Sequence, residues 1–201
     1  MFLRILLFLI ACTFIPQVQA KSVIMVFGDS LSAGYGLPTG KGWVNLLQKQ
    51  LDQSEHAYQL INASISGDTT SGGVRRINQA LKIHRPALVI VELGANDGLR
   101  GLSISEMRKN LTSIIQSAKS ANAQVLLLGM QLPPNYGLAF TRQFEKTFFT
   151  VAKNENISLV PFLFKGFESD MRYFQNDRIH PNEKGQQLML DNVWPYLEKL
   201  L

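Results

Sequence analysis

Residues 87–98 read Ala87-Leu88-Val89-Ile90-Val91-Glu92-Leu93-Gly94-Ala95-Asn96-Asp97-Gly98. The first seven are mostly branched aliphatics with no apolar–polar alternation, the pattern of a strand buried on both faces. Similar runs recur at Val23–Phe27, which ends at Gly28, and at Tyr58–Ala63, Val125–Leu128 and Ile157–Phe162. The segments between them have helical spacing. Trp43, Val44, Leu46, Leu47 and Leu51 form one stripe, and Val74, Ile77, Leu81 and Ile83 form another that stops before Pro86. Ser103 and Glu106 make a possible capping box ahead of Leu111, Ile114, Ile115 and Ala118. Phe140–Ala152 reads as a helix. A last one starts near Asn182, carries Val193, Trp194, Leu197 and Leu200, and is expected to kink or break at Pro195. Apolar strands alternating with amphipathic helices predict an α/β fold with a parallel sheet covered on both faces. No repeat, low-complexity stretch or linker divides it.

The N-terminus stands apart. Met1-Phe2-Leu3-Arg4 is a short positive start, Ile5–Ile15 is an apolar run, and Val18-Gln19-Ala20 offers small residues before Lys21. That order is a secretory signal, and the run is well short of the ~20 residues of a membrane span. The expected organisation is a signal peptide at 1–20 and one domain at 21–201, periplasmic or secreted. Cleavage after Ala20 leaves 181 of the 201 residues and lowers the net charge from +5 to +4, because Arg4 is the one charge removed. It also removes Cys12, the one cysteine, which excludes a disulfide framework, a thiolate nucleophile and a Cys-based metal site. The alternative is that Leu9-Ile10-Ala11-Cys12 acts as a lipobox and leaves Cys12 lipidated.

In such a sheet the chemistry lies at the carboxyl ends of the strands. After the first strand comes Gly28-Asp29-Ser30-Leu31-Ser32, and after the second Ser64-Ile65-Ser66-Gly67-Asp68-Thr69. The third is followed by Gly94-Ala95-Asn96-Asp97-Gly98, and Asp177-Arg178-Ile179-His180-Pro181 precedes the last helix. A serine, a glycine amide, an asparagine amide and an Asp/His pair can therefore converge on one face. Acyl transfer needs these parts: a hydroxyl with an adjacent base, a carboxylate to orient that base, and donors for an oxyanion.

The four blocks, in this order, resemble those of the SGNH (GDSL) hydrolase family. With Val91–Gly101 and Leu132-Pro133-Pro134-Asn135-Tyr136-Gly137, the chain is similar to the bacterial periplasmic acyl-CoA thioesterase/protease/lysophospholipases and related arylesterases. The resemblance implies a three-layer α/β/α, flavodoxin-like fold with a five-stranded parallel sheet. It implies Ser30 as nucleophile, His180 as general base and Asp177 as its orienting acid. The oxyanion donors would be the Ser30 and Gly67 backbone N–H groups and the Asn96 side chain. It further implies fatty acyl esters, thioesters and lysophospholipids as substrates, without a cofactor. A carbohydrate or cell-wall O-acetylesterase with the same triad is the alternative. Arg178 departs from the pattern, since similar sequences tend to carry glycine there.

Other residues have simpler readings. Asp29 is expected to hold its turn, and Asp68 and Asp97 to shape their loops. His56 reads as solvated, and His84 as a cation at a helix C-terminus. Three histidines without an HExxH motif give no zinc site. Gly36–Lys41 lacks the P-loop residues at Tyr35 and Gly42, and the basic residues, Arg75 and Arg76 included, are too scattered for a nucleic-acid site. Leu99, Leu102, Met107, Leu132, Tyr136, Leu138 and Phe140 flank the site, with Leu99 and Tyr136 the favoured acyl-binding candidates. A monomer without a stable membrane span is expected.

Overall fold

The computed structural model describes residues 22–54 and 58–201; the expected signal segment and His56 lie outside the described residues. In chain order the elements are β1 (Ser22–Gly28), α1 (Ser30–Ala33), α2 (Trp43–Asp52), β2 (Tyr58–Asn62), α3 (Thr70–His84) and β3 (Leu88–Glu92). They continue with α4 (Ala95–Leu99), α5 (Ile104–Ser120), β4 (Gln124–Leu128), α6 (Leu138–Glu155), β5 (Ser158–Val160) and α7 (Glu183–Leu197). The five strands are all parallel, in the order β2-β1-β3-β4-β5. This is the flavodoxin-like order, whose topological switch point lies between β1 and β3.

Every residue of β3 is buried, because helices cover both faces of the sheet. α2 packs against α7 on one face, and α3, α5 and α6 pack in series on the other. Val26, Phe27, Val89, Ile90, Leu126 and Leu127 form the middle of the core. The edge strand β2 is only half-buried, which accounts for its polar Gln59 and Asn62.

Several boundaries follow from single residues. Ser103 Oγ accepts the Glu106 N–H and starts α5, but the Glu106 carboxylate turns to Lys109, so only half of the capping box forms. Asn182 caps α7 through the N–H groups of Lys184 and Gly185. β5 is shorter than Ile157–Phe162: it ends at Val160 because Pro161 has no N–H to donate to the ladder. α7 runs through Pro195 and ends two residues later, at Leu197. Helix α3 extends N-terminally to Thr70, and its Ile83 is exposed rather than part of the apolar stripe. No described helix is long and apolar enough to cross a membrane.

Candidate active site

The carboxyl ends of β1 and β3 deliver the first groups. The chain leaves β1 at Gly28, where a Cβ would lie 2.7 Å from Glu92 Oε2 and 2.9 Å from the Glu92 carbonyl oxygen. Only glycine allows β1 and β3 to come this close at the point where the chain turns. Asp29 caps α1 by accepting the Leu31 N–H on Oδ1 at 3.0 Å, as its turn-holding role required. Ser30 is the first residue of α1, where a backbone N–H has no partner within the helix.

His180 arrives from the loop ahead of α7. An antiparallel bridge between Phe174 and Pro181 closes that loop, and the Gln175 N–H donates to the His180 carbonyl at 2.8 Å. Asp177 Oδ1 accepts the backbone N–H groups of Ile179 and His180 at 2.9 and 3.0 Å. Its Oδ2 lies 2.7 Å from His180 Nδ1, and His180 Nε2 lies 2.8 Å from Ser30 Oγ. Burial opposes ionisation of Asp177, but the His180 and Ile179 amides and then the imidazole hold its carboxyl below the ordinary value. An ionised carboxylate only accepts, so Nδ1 carries the imidazole proton and Nε2 is left to accept the Ser30 hydroxyl. The Tyr35 ring packs on the imidazole at 4.7 Å between centroids, and Gln175 Nε2 holds the Tyr35 carbonyl at 2.8 Å.

Gly67 adopts φ = 78°, the left-handed region open to glycine, and lines the same cavity as Ser30. Its N–H has no acceptor among the described residues, while its carbonyl receives Arg100 Nη2 at 2.8 Å. Asn96 sits in α4 with its Nδ2 held twice, by Asp29 Oδ2 and by the Asp68 carbonyl, both at 2.9 Å. An oxyanion would have to share one of those two protons. The two carboxylates that were expected to shape loops do so. Asp68 pairs with Arg76 Nε at 2.7 Å, and Asp97 accepts both the N–H and the hydroxyl of Thr70. Arg76 also donates to the Ala63 and Gly28 carbonyls and lies 3.6 Å above the Phe27 ring.

A cavity of ≈ 760 Å³ opens beside Ser30, in the upper half of the range for small-molecule sites. Leu99 and Leu132 line it. Tyr136 does not: its hydroxyl donates to the Leu99 carbonyl at 3.1 Å, so it braces the wall from outside. Met107 is core, and Leu102 and Leu138 are exposed. The rest of the apolar wall comes from residues that local pattern did not single out, chiefly Met130, Phe162, Phe164, Met171, Phe174 and Ile179. Arg178 reaches the cavity from a left-handed backbone, φ = 59°, between Asp177 and His180. Among the described residues no group of three His, Cys, Asp or Glu is placed to hold a metal ion.

The family described as GDSL-like lipase/acylhydrolase matches residues 26–188, most of the chain. This chain belongs to that family. Among its relatives, esterase TesA of Pseudomonas aeruginosa is 45% identical over 192 residues, covering 96% of each chain. The thioesterase 1/protease 1/lysophospholipase L1 of Escherichia coli is 37% identical over 195 residues, covering 97% of this chain and 91% of its own. The crystal structure of TesA superposes with a TM-score of 0.88 at 47% identity, over 90% of this chain and all of that one. The protein is thus an acylhydrolase with the SGNH fold, and the strand-end blocks that carry the family pattern are the ones meeting at the cavity.

Proposed function

We propose that the protein is an exported serine hydrolase of fatty acyl esters and thioesters, lysophospholipids included. Ser30 Oγ attacks the acyl carbonyl as His180 Nε2 takes its proton. Asp177 holds the imidazole in the tautomer this requires and stabilises the imidazolium that forms. The oxyanion meets the Ser30 and Gly67 N–H groups and the Asn96 amide. Collapse of the tetrahedral intermediate expels the alcohol or thiol, which receives the proton from His180 and leaves an acyl group on Ser30. A water then loses its proton to His180 and attacks that ester, and the carboxylic acid departs as Ser30 regains its hydrogen.

The observation that carries this reading is the Ser30–His180–Asp177 relay, with links of 2.8 and 2.7 Å, opening into a large cavity with apolar walls. Leu99, Met130, Leu132, Phe162 and Phe164 suit an alkyl chain and offer a sugar hydroxyl few partners. The names of the relatives point the same way. The deciding experiment is a p-nitrophenyl ester series from acetyl to long acyl, followed by lysophospholipid and acyl-CoA. Rising kcat/KM beyond acetyl supports the proposal, and activity confined to acetyl supports a carbohydrate O-acetylesterase. Residues 1–20 are the proposed export signal; N-terminal sequencing of the exported protein should begin at Lys21.

A further inference from the structure

Glu92, the last residue of β3, is a fully buried carboxyl for which the hydrolytic cycle has no use. Its Oε2 accepts the Asp29 N–H at 3.2 Å and the Ser32 hydroxyl at 2.8 Å. Its Oε1 is buried without any donor to satisfy it. The Asp29 carboxyl is also fully buried, near enough for its charge to act on Glu92. Two buried negative charges side by side would be strongly disfavoured, so one of the two carboxyls keeps a proton. The proton belongs on Glu92, because Asp29 already accepts from the Leu31 N–H and from Asn96 Nδ2. We propose that Glu92 is a positioning residue for the reaction: it keeps a proton, donates it to Asp29, and through Asp29 fixes the Asn96 amide beside Ser30.

The charged surroundings agree. Burial, and then the Asp29 charge, push the Glu92 carboxyl well above the ordinary glutamate range. Burial raises Asp29 to about 6, while the Leu31 N–H, the Asn96 amide and His180 pull it back down. His180, from the loop ahead of α7, acts on Asp29 and not on Glu92. On α3, Arg76 is engaged with Asp68 and the Gly28 carbonyl. On α1 Ser32 offers only a hydroxyl, so among the described residues no cation stabilises an ionised Glu92. Asn96 needs this support, because its amide must present a proton to the oxyanion while keeping its grip on Asp29. A small displacement of such a donor can cost about a hundredfold in rate.

The proposal rests on the acyl-transfer reading of the site. Its test is kcat and KM on a short p-nitrophenyl ester, from about pH 6 to 10, for the wild type, Glu92→Gln and Glu92→Leu. The amide of Glu92→Gln can donate to Asp29 and accept from Ser32, so its kcat should stay within about threefold of wild type. Glu92→Leu should lose about ten- to a hundredfold in kcat with KM little changed. The wild type should lose kcat as rising pH takes the Glu92 proton, and Glu92→Gln should lack that fall. An equal loss in both variants, no loss in Glu92→Leu, or the same fall with rising pH in wild type and Glu92→Gln would overturn the proposal. If Glu92→Leu does not fold, the pH profile of Glu92→Gln decides alone. Failure of the acyl-transfer reading has a separate signature, turnover by Ser30→Ala whatever residue stands at 92.

Discussion

Asp97 takes both polar hydrogens of Thr70: Oδ2 accepts the backbone N–H at 2.9 Å and Oδ1 the hydroxyl at 2.6 Å. Both residues are buried, and Asn110 of α5 donates to the same hydroxyl at 3.1 Å. The contact ties the start of α3 to α4, and so ties the loop carrying Gly67 to the helix carrying Asn96. Asp97→Ala leaves two buried donors without an acceptor and should destabilise by about 3 kcal/mol. Asp97→Asn keeps an acceptor for the N–H and should cost about 1 kcal/mol. Urea denaturation of the two variants checks the order, and equal losses would remove Asp97 from this role.

Arg76 makes a comparable clamp under β1. Its guanidinium binds Asp68, two strand-end carbonyls and the face of Phe27. The Asp68 side chain is only 11% exposed. Arg76→Ala strands a largely buried carboxylate and should destabilise by about 3 kcal/mol. Arg76→Lys keeps the charge but loses the planar fork, and should recover only part of that. Thermal or urea unfolding at low and high salt checks both, since a buried pair is little screened.

The buried carboxyl pair also sets a slope of stability against pH. Folded Glu92 holds its proton above its ordinary value of 4.5, where the unfolded chain has released it. The folded state then binds more protons, so stability falls as pH rises through that window, by about 1.4 kcal/mol per pH unit. Asp29, raised from 3.8 to about 6, acts in the same direction between those two values. Glu92→Gln has no proton to lose at this position. Its stability relative to wild type should therefore increase as pH rises above that ordinary value in denaturant unfolding, and a constant difference would contradict the assignment.

Asn96 is held from behind by Asp29 and from the side by the Asp68 carbonyl. Asn96→Ala should lower kcat by roughly 10²–10³, as for other oxyanion donors, with little change in KM. A change confined to KM would mean that Asn96 only positions the substrate.

The strands were legible because Ile24–Phe27 and Leu88–Val91 are buried on both faces and so read as unbroken apolar runs. The long helices were legible from stripes such as Leu111, Ile114, Ile115 and Ala118, all buried in α5. Helices α1 and α4 were not, since four and five residues are too few to show a period. Of the site, Ser30, Gly67, Asn96, Asp177 and His180 stood in four motif blocks, and the fold brings the four blocks to one cavity, with Asp177 behind His180. Most of the cavity wall was hidden. Phe162 and Phe164 follow a strand, and Phe174 and Ile179 sit in an irregular loop, so no spacing shows which way they face. Glu92 read as a strand residue because nothing nearby in sequence announces a partner at Asp29, 63 positions earlier.

In the proposed mechanism Ser30 forms the acyl-enzyme. Incubation with an alkyl fluorophosphonate, followed by intact-mass and peptide mass spectrometry, tests it directly. A single adduct is expected on the peptide containing Ser30, appearing in step with loss of esterase activity, with neither adduct nor turnover in Ser30→Ala. Turnover by Ser30→Ala at the wild-type rate, or inactivation with the adduct on another residue, would contradict it.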